Sequence, residues 1–230
     1  MTEIASGHEA AWAAFQASEQ LRLQHETLEW EWTRGRTDFI AFLIAISEEG
    51  VRGYIAAQVE KIADIPGVEA YPERYWHITV KGVGFLADTP SRPDEVSLDD
   101  VRRLAEQAQP LIESTPMFNV QVGPANGFPE VVYLEAHDDG TVRGLNKQLL
   151  ADVPGLTRSP FDGDVFLPHI SVARFTSNEG LPELKRRLAG LREGPAGPTF
   201  RATEVLLIQA HLSTEAPTFD LLALYPLRQS

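Results

Sequence analysis

The chain has 230 residues, 43% of them hydrophobic, enough to bury the core of one large domain or of two small lobes, so disorder is not expected. Its 33 acidic residues against 20 basic ones give a formal net charge of −13, a surface that repels a long phosphate backbone and argues against extended nucleic acid as a partner. The absence of cysteine removes disulfides, thiolate nucleophiles and cysteine-based zinc sites together.

The N-terminus lacks a basic segment followed by an apolar core, and no apolar run approaches the roughly 18 residues of a membrane span. A cytoplasmic protein without membrane association is therefore expected. Residues 1–36 read as an N-terminal, mostly helical extension: 8–33 are rich in Ala, Glu and Gln and carry Trp12, Phe15, Trp30 and Trp32. The alternation of LEWEW also permits a strand there. The four aromatics suit a face that docks the extension onto the rest of the chain, or a dimer surface, so the oligomeric state stays open.

From there the pattern alternates. DFIAFLIAIS (38–47) reads as a buried strand, 51–63 as an amphipathic helix closed by Pro66-Gly67, and 74–85 as a strand. A loop then leads to Ser97, a suitable N-cap for a helix reaching Ser114. The second half predicts strands near 117–122 and 131–135, a helix over 141–151, a strand containing His169, a helix over 180–189, and strands near 201–209 and 219–225. Two halves of similar element order, each with one histidine-bearing strand, suggest two lobes facing each other across a cleft.

His-x-Ser/Thr occurs four times, at His25, His77, His169 and His211. Only HITV (77–80) and HISV (169–172) lie in β-branched runs. Side chains at i and i+2 of a strand share a face, so each imidazole would stand beside a hydroxyl, Thr79 or Ser171, while the intervening Ile and the following Val face the other way. Two imidazoles suit a general acid and a general base near neutral pH, and two hydroxyls can hold phosphate oxygens. The arrangement calls for no metal and no other cofactor.

Charge stabilisation requires a cation, and Lys81 and Arg174 are nearest in sequence. Strict alternation puts Lys81 on the histidine face and Arg174 on the opposite one unless a bulge re-aims it, so Lys81 is the preferred phosphate ligand. Tyr75, Trp76 and Phe161 could stack on a base. Asp162 and Asp164 could orient His169, although a Gly-centred Asp pair reads more naturally as a turn. His8, His25, His137 and His211 carry no expected role.

HITVKGVGF and PHISVARF resemble the two signatures of the two-histidine (2H) phosphoesterase superfamily, which includes the RNA ligase-like cyclic phosphodiesterases. The resemblance implies a bilobal α+β fold over 37–230, with two antiparallel sheets lining a central cleft and helices outside. It implies catalysis by His77 and His169 and phosphate binding by Thr79 and Ser171. The implied reaction is metal-independent hydrolysis of a 2′,3′-cyclic phosphate on a nucleotide or a short RNA end. RNA 2′-5′ ligation, exonuclease use of the same site, and a non-catalytic nucleotide-binding module stay open. The first 36 residues and Gly82, which stands where an apolar residue is usual, depart from the family pattern.

Overall fold

The computed structural model describes residues 3–23, 32–212 and 216–229. The Trp30, LEWEW, His25 and Ser213 expectations lie outside them, wholly or in large part. Helix α1 (Glu3–Ala17) opens the chain, followed by β1 (Asp38–Ala45), α2 (Glu49–Glu60), β2 (Val68–Ala70), β3 (His77–Leu86) and β4 (Glu95–Val96). Then come α3 (Leu98–Ser114), β5 (Phe118–Gly127), β6 (Val131–His137), α4 (Thr141–Asp152) and β7 (His169–Phe175). The chain closes with α5 (Leu181–Arg192), β8 (Thr199–Ala202), β9 (Glu204–His211) and β10 (Thr218–Pro226).

Local chemistry explains several boundaries. Ser97 accepts a hydrogen bond from Asp100 N while the Asp100 carboxylate accepts one from Ser97 N, a reciprocal cap that starts α3 where the sequence predicts it. The expected helix over 8–33 is shorter: α1 ends at Ala17, and residues 18–23 are not helical. The expected strand over 201–209 divides at Thr203 into β8 and β9, which pair with different partners. Strands β2 and β4 are too short to carry a readable alternation.

The architecture is α+β. The strands follow the order β10-β9-β1-β3-β7-β6-β5-β8, with β2 added to β7 and β4 to β3, and every pair but β3–β4 is antiparallel. Two lobes are recognisable along this path. One holds β10, β9, β1 and β3; the other holds β7, β6, β5 and β8. Strands β3 and β7 join them at a bridge between Ile78 and Ile170, and a second, parallel bridge links Pro116, just before β5, to Arg228, just after β10. The last hairpin returns to the first lobe, so the lobes interleave rather than follow one another in sequence. The core packs between the sheet and the helices, with Ile78, Val80, Ile170 and Val172 inside it. Among the described residues no helix is long and apolar enough to cross a membrane.

Two bulges decide where the side chains after each histidine point. Lys81 pairs with Phe42 and Thr79 with Leu43, so Val80 is an extra residue against β1. Ala173 pairs with Val132 and Ser171 with Tyr133, so Val172 is the extra residue against β6. The bulge falls three residues after the histidine in both strands, and each shifts the following residues to the opposite face. Lys81 therefore shares the core face of Phe42 and is 1% exposed, which corrects its expected place beside His77. Its ammonium donates to Gly82 O, Thr157 O and, at 2.9 Å, to Asp162 Oδ2. Burial pushes its pKa down, and Asp162 opposes that shift.

Asp162 also accepts from Asn146 Nδ2, whose second proton is given to Val80 O, so this buried cluster ties the 157–163 loop to β3. Removing one partner of a buried ion pair leaves an uncompensated charge, whereas replacing both by apolar groups does not. Asp162→Ala should cost about 3–5 kcal/mol in denaturant unfolding, and Lys81→Met/Asp162→Leu should recover most of that loss. A single mutant as stable as wild type would contradict the burial of this pair.

Candidate active site

Each histidine stands at the first residue of its strand, beside the bridge that joins β3 to β7. In an antiparallel pair that register sets His77 across from Ser171 and Thr79 across from His169. The four motif side chains thus meet at the lobe junction, on the face opposite Ile78 and Ile170. All four are partly exposed, whereas both Ile side chains are fully buried.

Both imidazoles are held in the same way. His77 Nδ1 donates to Tyr75 O at 2.5 Å, and His169 Nδ1 donates to Leu167 O at 2.7 Å. A carbonyl can only accept, so each Nδ1 carries its proton and, in the neutral ring, each Nε2 keeps its lone pair. Two aromatic edges flank each ring: Tyr75 and Phe219 at 5.1 and 5.2 Å from His77, and Phe128 and Tyr133 at 5.2 and 5.3 Å from His169. Burial pushes the His77 pKa down to about 4, against the Tyr75 carbonyl and with help from the charge of His169. Burial also lowers His169, against the Leu167 carbonyl.

The bulge at Val172 brings Arg174 to the histidine face, reversing the ranking that strict alternation gave it against Lys81. Arg174 pairs in register with Glu69 of β2 and donates to its carboxylate at 2.6 Å. Its charge reaches Tyr71 and Tyr75, whose rings stack at 4.1 Å. Burial raises both phenols, Tyr75 to about 12, so both stay protonated. Of these two cations, Arg174 is thus on the histidine face, 7% exposed, and Lys81 is in the core.

The other expectations divide. Tyr75 is on the cleft face, two residues before His77, but Trp76 alternates to the other side, is 4% exposed and belongs to the core. It nonetheless contributes to the lining of a cavity beside His77. Phe161 stands exposed on the loop that Lys81 anchors. Asp162 serves Lys81 and Asp164 pairs with Lys147, so neither orients His169.

Sequence reasoning missed a polar layer beside His169. Tyr133, Glu135 and His137 share one face of β6, with Tyr133 opposite Ser171 and Glu135 opposite His169. Their alternation is visible in VVYLEAH, but nothing local ties it to the motif. Burial raises the Glu135 carboxyl, yet hydrogen bonds from His137, Arg192 and Asn126 outweigh it and hold the pKa at about 2. His8 of α1 is fully buried, with its ring 5.7 Å from that of Tyr133 and its pKa lowered by burial to about 4. Among the described residues no group of three or more His, Cys, Asp or Glu side chains is arranged to hold a metal ion.

A direct comparison with curated protein sequences finds no match. Among solved structures, TT0787 of Thermus thermophilus is 18% identical with a TM-score of 0.57, over 84% of this chain and 99% of that one. E. coli LigT complexed with phosphate is 17% identical, TM-score 0.58, over 84% and 99%. LigT complexed with 3′-AMP is 17% identical, TM-score 0.59, over 84% and 98%. These share the fold. The profile of the 2′-5′ RNA ligase superfamily matches residues 53–214, a span that contains both histidine strands, and the chain accordingly belongs to that superfamily, the two-histidine phosphoesterases.

Proposed function

We propose that this protein is a phosphodiesterase that opens a 2′,3′-cyclic phosphate on a nucleotide or a short RNA end, with His77 and His169 as general base and general acid. The observation that carries this reading is the matched pair of imidazoles. Each has Nδ1 fixed by a backbone carbonyl two residues upstream, and each leaves an Nε2 lone pair beside the lobe junction.

In the proposed step, one neutral imidazole takes a proton from water as its oxygen bonds to phosphorus. The other, entering protonated, gives its proton to the ribose oxygen whose bond to phosphorus breaks. The product is a phosphomonoester, and the two imidazoles have exchanged protonation states. The Thr79 and Ser171 hydroxyls donate to non-bridging oxygens, and Arg174 offsets their charge. Acid and base both come from this chain, so the step is metal-independent. The crystals of LigT with phosphate and with 3′-AMP support a nucleotide phosphate as the ligand class.

The test is hydrolysis of a panel of 2′,3′-cyclic nucleotides in EDTA. His77→Ala and His169→Ala should each lose about 10²–10⁴-fold in kcat. Arg174→Ala should lose on the order of 10²-fold, while Lys81→Met/Asp162→Leu stays close to wild type. Loss of activity in that double mutant with Arg174→Ala unaffected would reverse the assignment of the cation.

The pH dependence has a defined sign. Activity on free enzyme needs the base deprotonated and the acid protonated, so kcat/KM rises through the lower pKa and falls through the higher. His77 lies at about 4 and His169 below its ordinary value near 6.5, so the optimum of kcat/KM should fall below pH 6.5. An optimum above pH 7.5 would contradict the two lowered values.

A further inference from the structure

The two faces of the cleft are chemically unlike, and the difference constrains what can be attached to the phosphate. In the first lobe, Leu43 lies opposite Thr79 and Ala45 opposite His77, and Leu206 continues the same face from Leu43 onto β9. Ile208 lies opposite Ala41 and Leu221, and Phe219 meets the edge of His77. Directly opposed residues share a face, so this wall is apolar from Thr79 outward. Beside His77 it lines, with Trp76, an open-sided cavity of about 180 Å³, in which, among the described residues, Arg74 is the one permanently charged lining residue.

The polar face of the second lobe is covered over Tyr133 and Glu135, while His137 at its end borders a cavity of about 320 Å³. Helix α1 lies on β5 and β6: His8 O accepts from Asn126 Nδ2 at 3.0 Å, the His8 ring packs on Tyr133, and Phe15, 1% exposed, sits against Gly127. Arg192 could have offered a second cation to the cleft. Its guanidinium instead binds Glu135 at 2.6 Å and Glu9 of α1 at 2.5 Å, and lies over Trp12. Lys81 is in the core. Arg174, 7% exposed and paired with Glu69, is one cation on the β7 side, Arg74 is one on the apolar wall, and Arg143 and Lys147 line a different cavity, beside His137. A polynucleotide is held by successive phosphate contacts, and the net charge of −13 opposes it further.

Resting on the phosphodiesterase reading above, we infer that the cleft takes a substrate with a single phosphate whose remaining group is one uncharged ring system seated on the apolar wall beside His77. A nucleoside 2′,3′-cyclic phosphate fits that description, and the end of an RNA chain does not. The cavity is smaller than the roughly 300–1,000 Å³ of drug-sized pockets, consistent with one such group.

The experiment uses the full chain. Values of kcat/KM are measured for a 2′,3′-cyclic mononucleotide and for an oligoribonucleotide ending in the same nucleoside 2′,3′-cyclic phosphate, each at low and high salt. The mononucleotide should be preferred by about tenfold or more, with little salt dependence. Leu221 lines the mouth of the cavity and is 59% exposed, so Leu221→Glu should leave thermal stability unchanged while raising KM for the mononucleotide and sparing kcat. Equal or better turnover of the oligonucleotide, or an unchanged KM in Leu221→Glu, overturns this inference and leaves the phosphodiesterase reading in place. Turnover of neither substrate overturns both.

Discussion

The bridge between Ile78 and Ile170 is the point on which the site depends. Two antiparallel strands from two lobes touch there and nowhere else along the named pairings, so the residues on either side of it are brought together with a fixed register. Both Ile side chains are fully buried, which pins the strands from below. The same register sets His77 and Ser171, and Thr79 and His169, on the open side. A slip of one residue in either strand would send its imidazole into the core and an isoleucine into the cleft, so burial of this pair and assembly of the site are one constraint.

The next level is the pair of bulges. Each adds one residue three positions after its histidine, and each converts a simple alternation into a local inversion. In β3 the inversion sends a lysine into the core, where an aspartate and two carbonyls must compensate it. In β7 it turns an arginine to the other face, where, 7% exposed, it meets Glu69 and the tyrosine pair. The lobes are thus alike in backbone and unlike in charge. Near-symmetry supplies two similar imidazoles, and the asymmetry puts Arg174 on one side of the proposed phosphate site and an apolar wall on the other.

How much of this could be read in the sequence follows from which interactions are local. HITV and HISV announce their strands and the shared face of imidazole and hydroxyl, because alternation is a property of one strand. The place of Lys81 and Arg174 could not be read, because a bulge exists only relative to a partner strand, here β1 and β6. Trp76 shows the converse: its burial follows from the same alternation that exposes Tyr75 and His77. Helix α1 was legible as helix and as an aromatic docking face, since Phe15 does pack into the core. That it would lie on β5 and β6 beside the polar layer next to His169 depends on long-range contacts to Asn126, Tyr133 and Gly127.

The central claim is that both imidazoles present an Nε2 lone pair to one phosphate. The measurement that tests it most directly is nitrogen-15 NMR of the histidine side chains, titrated with pH and then with inorganic phosphate. The account predicts that neutral His77 and His169 are both protonated at Nδ1, that both titrate below pH 6.5, and that phosphate raises both pKa values together. Either ring protonated at Nε2 in its neutral form, or a phosphate response confined to one of the two, would contradict it.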